Sequence, residues 1–320
     1  MLIDILNKRK CFKLICGAGN EDADEVEKLV AVYAAAGANF FDVCPDKNIL
    51  EAAKRGLNRE SNGIGDGKYI CVSIGLEGDS HIKKAFIDRD KCTNCNECIN
   101  NCPQNAVYSN LDINLKRCIG CGRCLDVCGS GAINLYSRTR PVEEILPALN
   151  GYKIDCIELH ATSSDGQEIF RNWEYLNSNF DEVLSICINN SNMDKDKYLT
   201  LLNSLIKTRQ PYTTIVQTDG VSMRGFLDSS ELAQAAVNAS EIVADCGLPV
   251  FIIPSGGTNA DTTRIARDAN ICINGVAIGS YARKIVYEYI SKDDFWENEQ
   301  LFESAVNKAE ELVKVSLKYL

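Results

Sequence analysis

The sequence predicts a (β/α)8 barrel that is interrupted once by a cysteine-rich insert. Outside residues 85–137, short runs of β-branched and aromatic residues alternate eight times with longer amphipathic stretches, which is the pattern of repeated β-α units. Eight such units over roughly 250 residues are the number that closes a barrel. The insert holds eight of the 16 cysteines in this chain of 320 residues.

Each predicted strand is a short apolar run, and each predicted helix is an amphipathic stretch between two strands. We predict strands at 12–16, 39–43, 69–74, 154–160, 183–188, 213–217, 249–253 and 272–278. We predict helices at 22–36, 48–56, 142–149, 167–176, 195–208, 230–245, 259–268 and 281–289, and an outer helix at 296–320. Gly37 and Gly151 suit helix ends, and Thr258-Asn259 suits a helix start.

The insert divides the chain into two predicted domains. Residues 1–84 and 138–320 form the barrel with its C-terminal helix, and residues 85–137 form the inserted domain after strand 3. The insert is therefore an elaborated βα loop. Because βα loops open on the face where barrel active sites lie, we expect the insert to stand beside the barrel mouth.

The charge and the apolar pattern exclude several classes of partner. Net charge is −10, and the chain has no long run of Lys or Arg, so nucleic acid is not an expected partner. The apolar stretch at 29–36 is too short to span a bilayer, and the N-terminus has the reverse charge order of a secretory signal. We expect a cytoplasmic protein, with an organellar protein that has lost a targeting segment as the alternative. In a reducing compartment clustered thiols indicate metal rather than disulfides.

The clustered cysteines form two copies of one motif, 26 residues apart. The copies are Cys92-x2-Cys95-x2-Cys98-x3-Cys102-Pro and Cys118-x2-Cys121-x2-Cys124-x3-Cys128-Gly. In bacterial two-cluster ferredoxins the fourth cysteine of each run binds the other cluster. This pattern assigns one [4Fe-4S] cluster to Cys92, Cys95, Cys98 and Cys128, and a second to Cys118, Cys121, Cys124 and Cys102. Zinc is the alternative, but zinc sites seldom use this triple spacing twice in succession.

Strand periodicity predicts a polar pocket inside the barrel. Alternation points Glu158 and His160 inward, together with Asp42 and Asp219, and these four are the candidate catalytic residues. Ser73, Gln217, Asn189 and Cys44 are expected to point inward too. The alternative is that backbone groups satisfy each of these side chains and that His160 is structural. The eight scattered cysteines are expected to be packing residues, with Cys16 and Cys44 near the mouth as exceptions, and His81 is expected at the surface.

Glycine-rich turns follow the last two strands and predict a phosphate site. The candidate residues are Gly256, Gly257 and Thr258 after strand 7, and Gly279 and Ser280 after strand 8. Barrels commonly bind phosphate at these loops, where glycines let backbone N–H groups approach an anion. FMN or a sugar phosphate fits equally well. The alternative is that these glycines only make tight turns.

Four segments around the doubled cysteine motif carry a family resemblance: FKLICGAGN, TDGVSMRG, SGGTN and GVAIGSYARKIV. With them, from about residue 10 to 290, the chain resembles the light-dependent period protein (LdpA) family of cyanobacteria and plastid-lineage relatives. The resemblance implies two [4Fe-4S] clusters that convey cellular redox state to a circadian clock. It also implies a redox partner or electron carrier and clock-associated proteins as partners, and it brings no catalytic residues.

Two functions are compatible with these patterns. The first is an iron-sulfur protein that senses or relays redox state. The alternative is an oxidoreductase that binds a flavin or a phosphorylated ligand at the barrel mouth and exchanges electrons through the clusters.

Overall fold

The computed structural model confirms the predicted fold class, and it describes residues 1–17, 19–60, 67–77, 79, 82–161, 165–188, 194–220 and 229–320. The strands are β1 (Cys11–Gly17), β2 (Phe40–Val43), β3 (Tyr69–Gly75), β4 (Lys83–Ile87), β5 (Ile133–Ser137), β6 (Cys156–Ala161), β7 (Val183–Ile188), β8 (Thr214–Asp219), β9 (Phe251–Ser255) and β10 (Gly275–Ile278). All except β4 and β5 form one parallel sheet in the order β10-β1-β2-β3-β6-β7-β8-β9. The end strands also meet, because the backbone N–H of Asn274 donates to the carbonyl of Ile252 at 2.8 Å.

The helices alternate with the barrel strands as predicted. They are α1 (Leu2–Asn7), α2 (Ala23–Ala35), α3 (Lys47–Glu60), α4 (Glu97–Asn100), α5 (Arg123–Asp126), α6 (Val142–Ala148), α7 (Gly166–Asn179), α8 (Lys195–Ile206), α9 (Ser229–Ala244), α10 (Thr262–Asp268), α11 (Ser280–Ile290) and α12 (Glu299–Lys318). The last of these is the predicted outer helix, and it packs on α2 and α11. Helix α1 was not predicted.

Five barrel strands begin later than predicted, and β2, β6 and β10 do so for one shared reason. Just before each strand, a short polar side chain accepts a hydrogen bond from a backbone N–H of the neighbouring strand, at 2.9 to 3.1 Å. The pairs are Asn39 with Phe12, Asp155 with Ile70, and Asn274 with Ile252. Because a side chain replaces the backbone carbonyl there, the regular ladder starts at the following residue or soon after.

The apolar residues form two separate cores around the barrel wall. The outer core lies between strands and helices and includes Phe41, Leu159 and Trp173. The inner core fills the amino-terminal end of the barrel with side chains such as Phe40 and Phe251. Leu2 and Leu6 of α1 join this inner core, so α1 closes that end and leaves the polar residues at the opposite end.

The insert is a small two-stranded unit that follows β3. Strands β4 and β5 pair antiparallel, and the two cysteine motifs lie between them around the short helices α4 and α5. Its own apolar core includes Ala85, Val107 and Ile133. The precise domain limits at 84/85 and 137/138 stay a prediction.

Candidate functional site

Four cysteines of the insert surround one enclosed space. A cavity of about 20 Å³ is lined by Cys102, Cys118, Cys121 and Cys124, which we call the inner cysteine set. Burial, followed by the neighbouring thiols of Cys121, Cys118 and Cys102, raises the pKa of Cys124 to about 12. Cys102 belongs to the first motif and the other three to the second, so the fold brings together the four residues that crossed ligation requires.

The donor set and its surroundings fit an iron-sulfur cluster. In the inner set, backbone N–H groups of Ala85 and Ala106 donate to the sulfurs of Cys118 and Cys102 at 3.4 and 3.2 Å. Four sulfur donors with N–H···S bonds and an apolar surround are the usual setting of such clusters.

The remaining motif cysteines form the outer cysteine set, which we define as Cys92, Cys95, Cys98 and Cys128. Cys98 is buried, whereas Cys95 is exposed to solvent. Here the backbone N–H of Ala132 donates to the Cys128 sulfur at 3.2 Å. The outer set is thus more open than the inner set, in which none of the four cysteines is exposed.

Lys84 links the inner set to the barrel. Its buried ammonium donates to the carbonyls of Gly19, at 2.7 Å, and Cys118, at 2.8 Å. It also lies 3.4 Å from Glu21 Oε1. Burial lowers the pKa of Lys84, although Glu21 opposes this. Because Gly19 and Glu21 belong to the loop between β1 and α2, this side chain links that loop to the second cysteine motif.

Further contacts, one beside each cysteine motif, join the insert to the barrel. Arg117 pairs with Glu25 of α2 at 3.2 Å, and Asn105 Nδ2 donates to the hydroxyl of Tyr287 on α11 at 2.9 Å. The insert is therefore held on the carboxyl-terminal face of the barrel, where the sequence placed it.

A cavity of about 640 Å³ lies between the insert and the barrel interior. Its roof includes Cys121, Arg123 and Ile119 from the insert. The candidate catalytic residues Asp42, Glu158, His160 and Asp219 all line it, together with Ser73 and Gln217. Cys121 lines both this cavity and the enclosed space of the inner set. Pro103, Gln104 and Ile119 line both spaces as well, so a single layer of residues separates the inner set from the barrel mouth.

A buried lysine that the sequence analysis missed organises the floor of this cavity. Lys13 on β1 is fully buried, and its Nζ donates to Glu158 Oε2 at 2.6 Å and to Gln217 Oε1 at 2.7 Å. It also lies 3.4 Å from Asp42 Oδ2. Strand alternation carried the signal, because Lys13 lies two residues after the inward Cys11 and two before Ile15, which lines the cavity.

Hydrogen bonds hold both carboxylates of this network. Glu158 also accepts from Ser185 Oγ at 2.8 Å and from Gln217 Nε2 at 2.9 Å, and the Ser73 hydroxyl donates to Asp42. Burial and the charge of Glu158 raise the pKa of Asp42 to about 6, against the opposing effect of Lys13. Burial also opposes ionisation of Glu158, but Lys13 outweighs it and lowers the pKa of Glu158.

His160 interacts with two residues that the sequence analysis did not single out, Asp79 and Cys187. Its Nδ1 lies 3.0 Å from Asp79 Oδ2. Burial favours the neutral ring, but Asp79 and then Cys187 outweigh it and raise the pKa of His160 well above its usual range. Donor atoms of Glu158, His160 and Cys187 lie within 4.8 Å of one another. Both Glu158 oxygens already accept hydrogen bonds from within the barrel, so this trio carries no metal assignment.

The five predicted cofactor residues line the cavity, but three have structural tasks. Gly256 and Gly257 adopt positive φ angles of 65° and 89°, and the Thr258 hydroxyl donates to the Ala277 carbonyl. A Cβ on Gly256 would lie 1.7 Å from Asp219 Oδ1, so a carboxylate occupies the space beside this turn. Gly279 and Ser280 lie at the start of α11, where no side chain caps the helix.

Two cysteines expected near the mouth belong to the outer core instead. Cys16 and Cys44 are buried in that core, and burial raises the pKa of Cys16 to about 12. The expectation that Cys44 points into the barrel is therefore wrong. Strand β2 ends at Val43, so the alternation of inward and outward side chains does not extend to Cys44. Asn189, His81 and most of the segment TDGVSMRG lie outside the described residues.

A (β/α)8 barrel with an inserted cysteine module of this kind is the architecture of an iron-sulfur protein. A family model described as a 4Fe-4S dicluster domain matches residues 84–129. A second, described as the light dependent period A C-terminal domain, matches residues 148–315. The chain is 30% identical over 299 residues to "Light dependent period A" of Synechococcus elongatus, which covers 90% of this chain and 84% of that protein. The chain belongs to the light dependent period A family.

Solved structures resemble the chain at the level of the fold. The YdjI aldolase from Escherichia coli K12 is 9% identical with a TM-score of 0.51, over 98% of this chain and 93% of that chain. A tryptophan synthase from M. tuberculosis is 10% identical with a TM-score of 0.51, over 98% and 96% of the two chains. At such low identity these likenesses show the barrel fold alone. Among the described residues, no helix has both the length and the apolar character needed to cross a membrane.

Proposed function

We propose that the chain is a redox protein with two [4Fe-4S] clusters that senses or relays the redox state of the cytoplasm. Cys92, Cys95, Cys98 and Cys128 would hold one cluster, and Cys102, Cys118, Cys121 and Cys124 the other. Each cluster, when bound, supplies one-electron oxidation and reduction. By its family membership, we propose that the redox state relayed is one set by light and that clock-associated proteins receive the signal.

The observation that carries this proposal is the position of Cys121. Its side chain lines both the inner-set cavity and the barrel-mouth cavity, so the barrel lies in direct contact with the inner set. The exposed Cys95 gives the outer set access to an electron carrier at the surface. One set thus faces a redox partner and the other faces the barrel, which is the arrangement that a relay needs.

Iron content of cysteine variants tests the ligand assignment. Anaerobically purified wild type should hold about eight iron atoms per chain. Cys95→Ala and Cys121→Ala should each lose about half, and the double variant nearly all. Cys272→Ala is the matched control, because Cys272 is exposed and lies outside both motifs. Zinc in place of iron would contradict the assignment.

The relay itself needs a separate measurement. Pull-down from an anaerobic lysate, with the protein oxidised or reduced, should give partners that bind in only one redox state. If the double variant without clusters kept that redox-dependent binding, the proposed relay would be wrong.

A second candidate function is favoured by the barrel-mouth cavity. Asp42, Glu158, His160 and Asp219 converge on it as acid-base groups, which suits an oxidoreductase with a flavin or phosphorylated ligand held near Gly256, Gly257, Thr258, Gly279 and Ser280. Mass analysis of small molecules released from anaerobically purified protein distinguishes the two. A retained flavin or phosphorylated compound supports the enzyme, and an empty barrel with two reducible clusters supports the relay.

A further inference from the structure

We propose that the barrel-mouth cavity binds a sugar phosphate, with the phosphate at the rim and the hydroxyl groups on the acidic floor. The inference rests on the second candidate function only in taking the cavity as a ligand site, and it requires nothing of the clusters. A volume of about 640 Å³ lies within the usual range for small-molecule sites, roughly 300 to 1,000 Å³.

The floor of the cavity accepts hydrogen bonds and carries excess negative charge. Asp42, Glu158 and Asp219 each line it and are no more than 9% exposed. Lys13 lies within 3.4 Å of two of them, Asp42 and Glu158. His160 adds a second cation but is paired with Asp79. Lys13 and His160 together do not balance the four carboxyl groups of Asp42, Asp79, Glu158 and Asp219, so the floor favours a ligand end that donates hydrogen bonds and carries no negative charge. Hydroxyl groups meet that requirement.

The rim has the opposite character. Arg123 and Lys284 both line the cavity, and within the described part of the chain neither takes part in an ion pair. Ser280 is exposed at the uncapped start of α11. Two cations that make no ion pair with the described residues, beside a helix start that no side chain caps, attract a dianionic group. The cavity is thus acidic at its inner end and basic at its outer end.

The same charge distribution argues against phosphate at the Gly256 turn and against FMN as the ligand. Phosphate at the Gly256 turn would meet the Asp219 carboxylate, whose Oδ1 fills the space beside the glycine, and like charges repel at that range. FMN held by its phosphate at the rim would direct its ring system at the floor. That ring offers either an apolar edge or an edge with a single N–H between two carbonyl oxygens, so it brings fewer hydrogen-bond donors to the carboxyl groups than a sugar with several hydroxyl groups does.

Isothermal titration of the anaerobic, cluster-loaded protein tests the inference. The probes are ribose 5-phosphate, fructose 6-phosphate, ribose, inorganic phosphate and FMN. We expect at least one of the two sugar phosphates to bind at least about tenfold more tightly than ribose, inorganic phosphate or FMN. Lys284→Gln should weaken sugar-phosphate binding about tenfold, and Asp42→Asn should weaken it by several fold through the hydroxyl contacts.

Lys292→Gln is the matched control, since Lys292 is exposed just beyond the far end of the same helix and should bind as wild type does. The inference is overturned if neither sugar phosphate binds, if inorganic phosphate or FMN binds as tightly, or if Lys284→Gln binds like wild type. Iron content and the spectrum of each sample are measured in parallel. Full iron without binding overturns only this inference, and binding without iron overturns only the cluster proposal.

Discussion

The outer and inner cysteine sets come from two motifs of the same spacing, but the two sets have different neighbours. In the outer set Cys95 is open to solvent, and the described contacts of its loop are largely with the insert itself. In the inner set all four cysteines are at least partly buried, and Lys84, Arg117 and Asn105 tie the surrounding backbone to the barrel. A duplicated motif has thus acquired two environments, and cluster properties depend on environment as much as on ligands.

The comparison predicts that damage to the barrel interior reaches the inner set and spares the outer set. The largest effect is expected from Lys13→Met, which leaves Asp42 and Glu158 without their buried cation. Loss of one partner from a buried ion pair costs about 3 to 5 kcal/mol of unfolding free energy. Urea denaturation measures the loss, and exposed Lys10→Met is the control. Equal stability of the two variants would contradict the buried network.

Titration of Asp42 should produce the next largest effect. Its pKa is about 6 in the folded protein and close to 3.8 when unfolded, so the folded state holds the proton more tightly. Stability from this group is fully present below pH 4 and is lost as pH rises through about 6, by about 3 kcal/mol. Asp42→Asn should remove this slope, whereas exposed Asp181→Asn should keep the wild-type profile. Denaturation midpoints from pH 4 to 7 measure the difference, and parallel profiles for wild type and Asp42→Asn would contradict it.

Lys84→Met tests the contact between the insert and the barrel. The change leaves the buried carbonyls of Gly19 and Cys118 without their donor, which should cost about 2 kcal/mol. Hydrogen exchange should rise around the inner set and stay unchanged around Cys95. Lys83→Met is the matched control, because Lys83 is the neighbouring residue on the other face of β4. Uniform exchange across both sets would show that the insert responds as one unit.

The smallest effect is expected for Tyr287→Phe. This change removes the hydroxyl that accepts from Asn105 and should lower unfolding free energy by about 1 kcal/mol. Tyr289→Phe, two residues further along α11, is the control. A double change with Lys84→Met tests whether the two contacts act together, and simple additivity would mean that they act independently.

Strand positions and both cysteine motifs could be predicted because each depends on local pattern. Alternation placed Glu158, His160 and Gln217 in the barrel, and spacing predicted that Cys102 joins Cys118, Cys121 and Cys124 around one space. The starts of β2, β6 and β10 could not be predicted, since each depends on a polar side chain that bonds across to another strand. Partners distant in sequence were missed for the same reason: Lys13 and Glu158 are 145 residues apart.

The phosphate prediction shows a different limit. Glycines at Gly256 and Gly257 indicate a turn, but their spacing carries no information about which group fills the adjacent space. The Asp219 carboxylate comes from the end of β8, some 37 residues earlier in the chain, and only the closed barrel brings it beside Gly256.

Helix α1 bears on the order in which the chain folds. Leu2 and Leu6 contact an inner core to which β1, β2, β3 and β6 to β10 all contribute, so their binding site exists only once the sheet has closed. The residues of α1 are therefore expected to be among the last to reach their native contacts, and docking of α1 would serve as a kinetic marker of barrel closure.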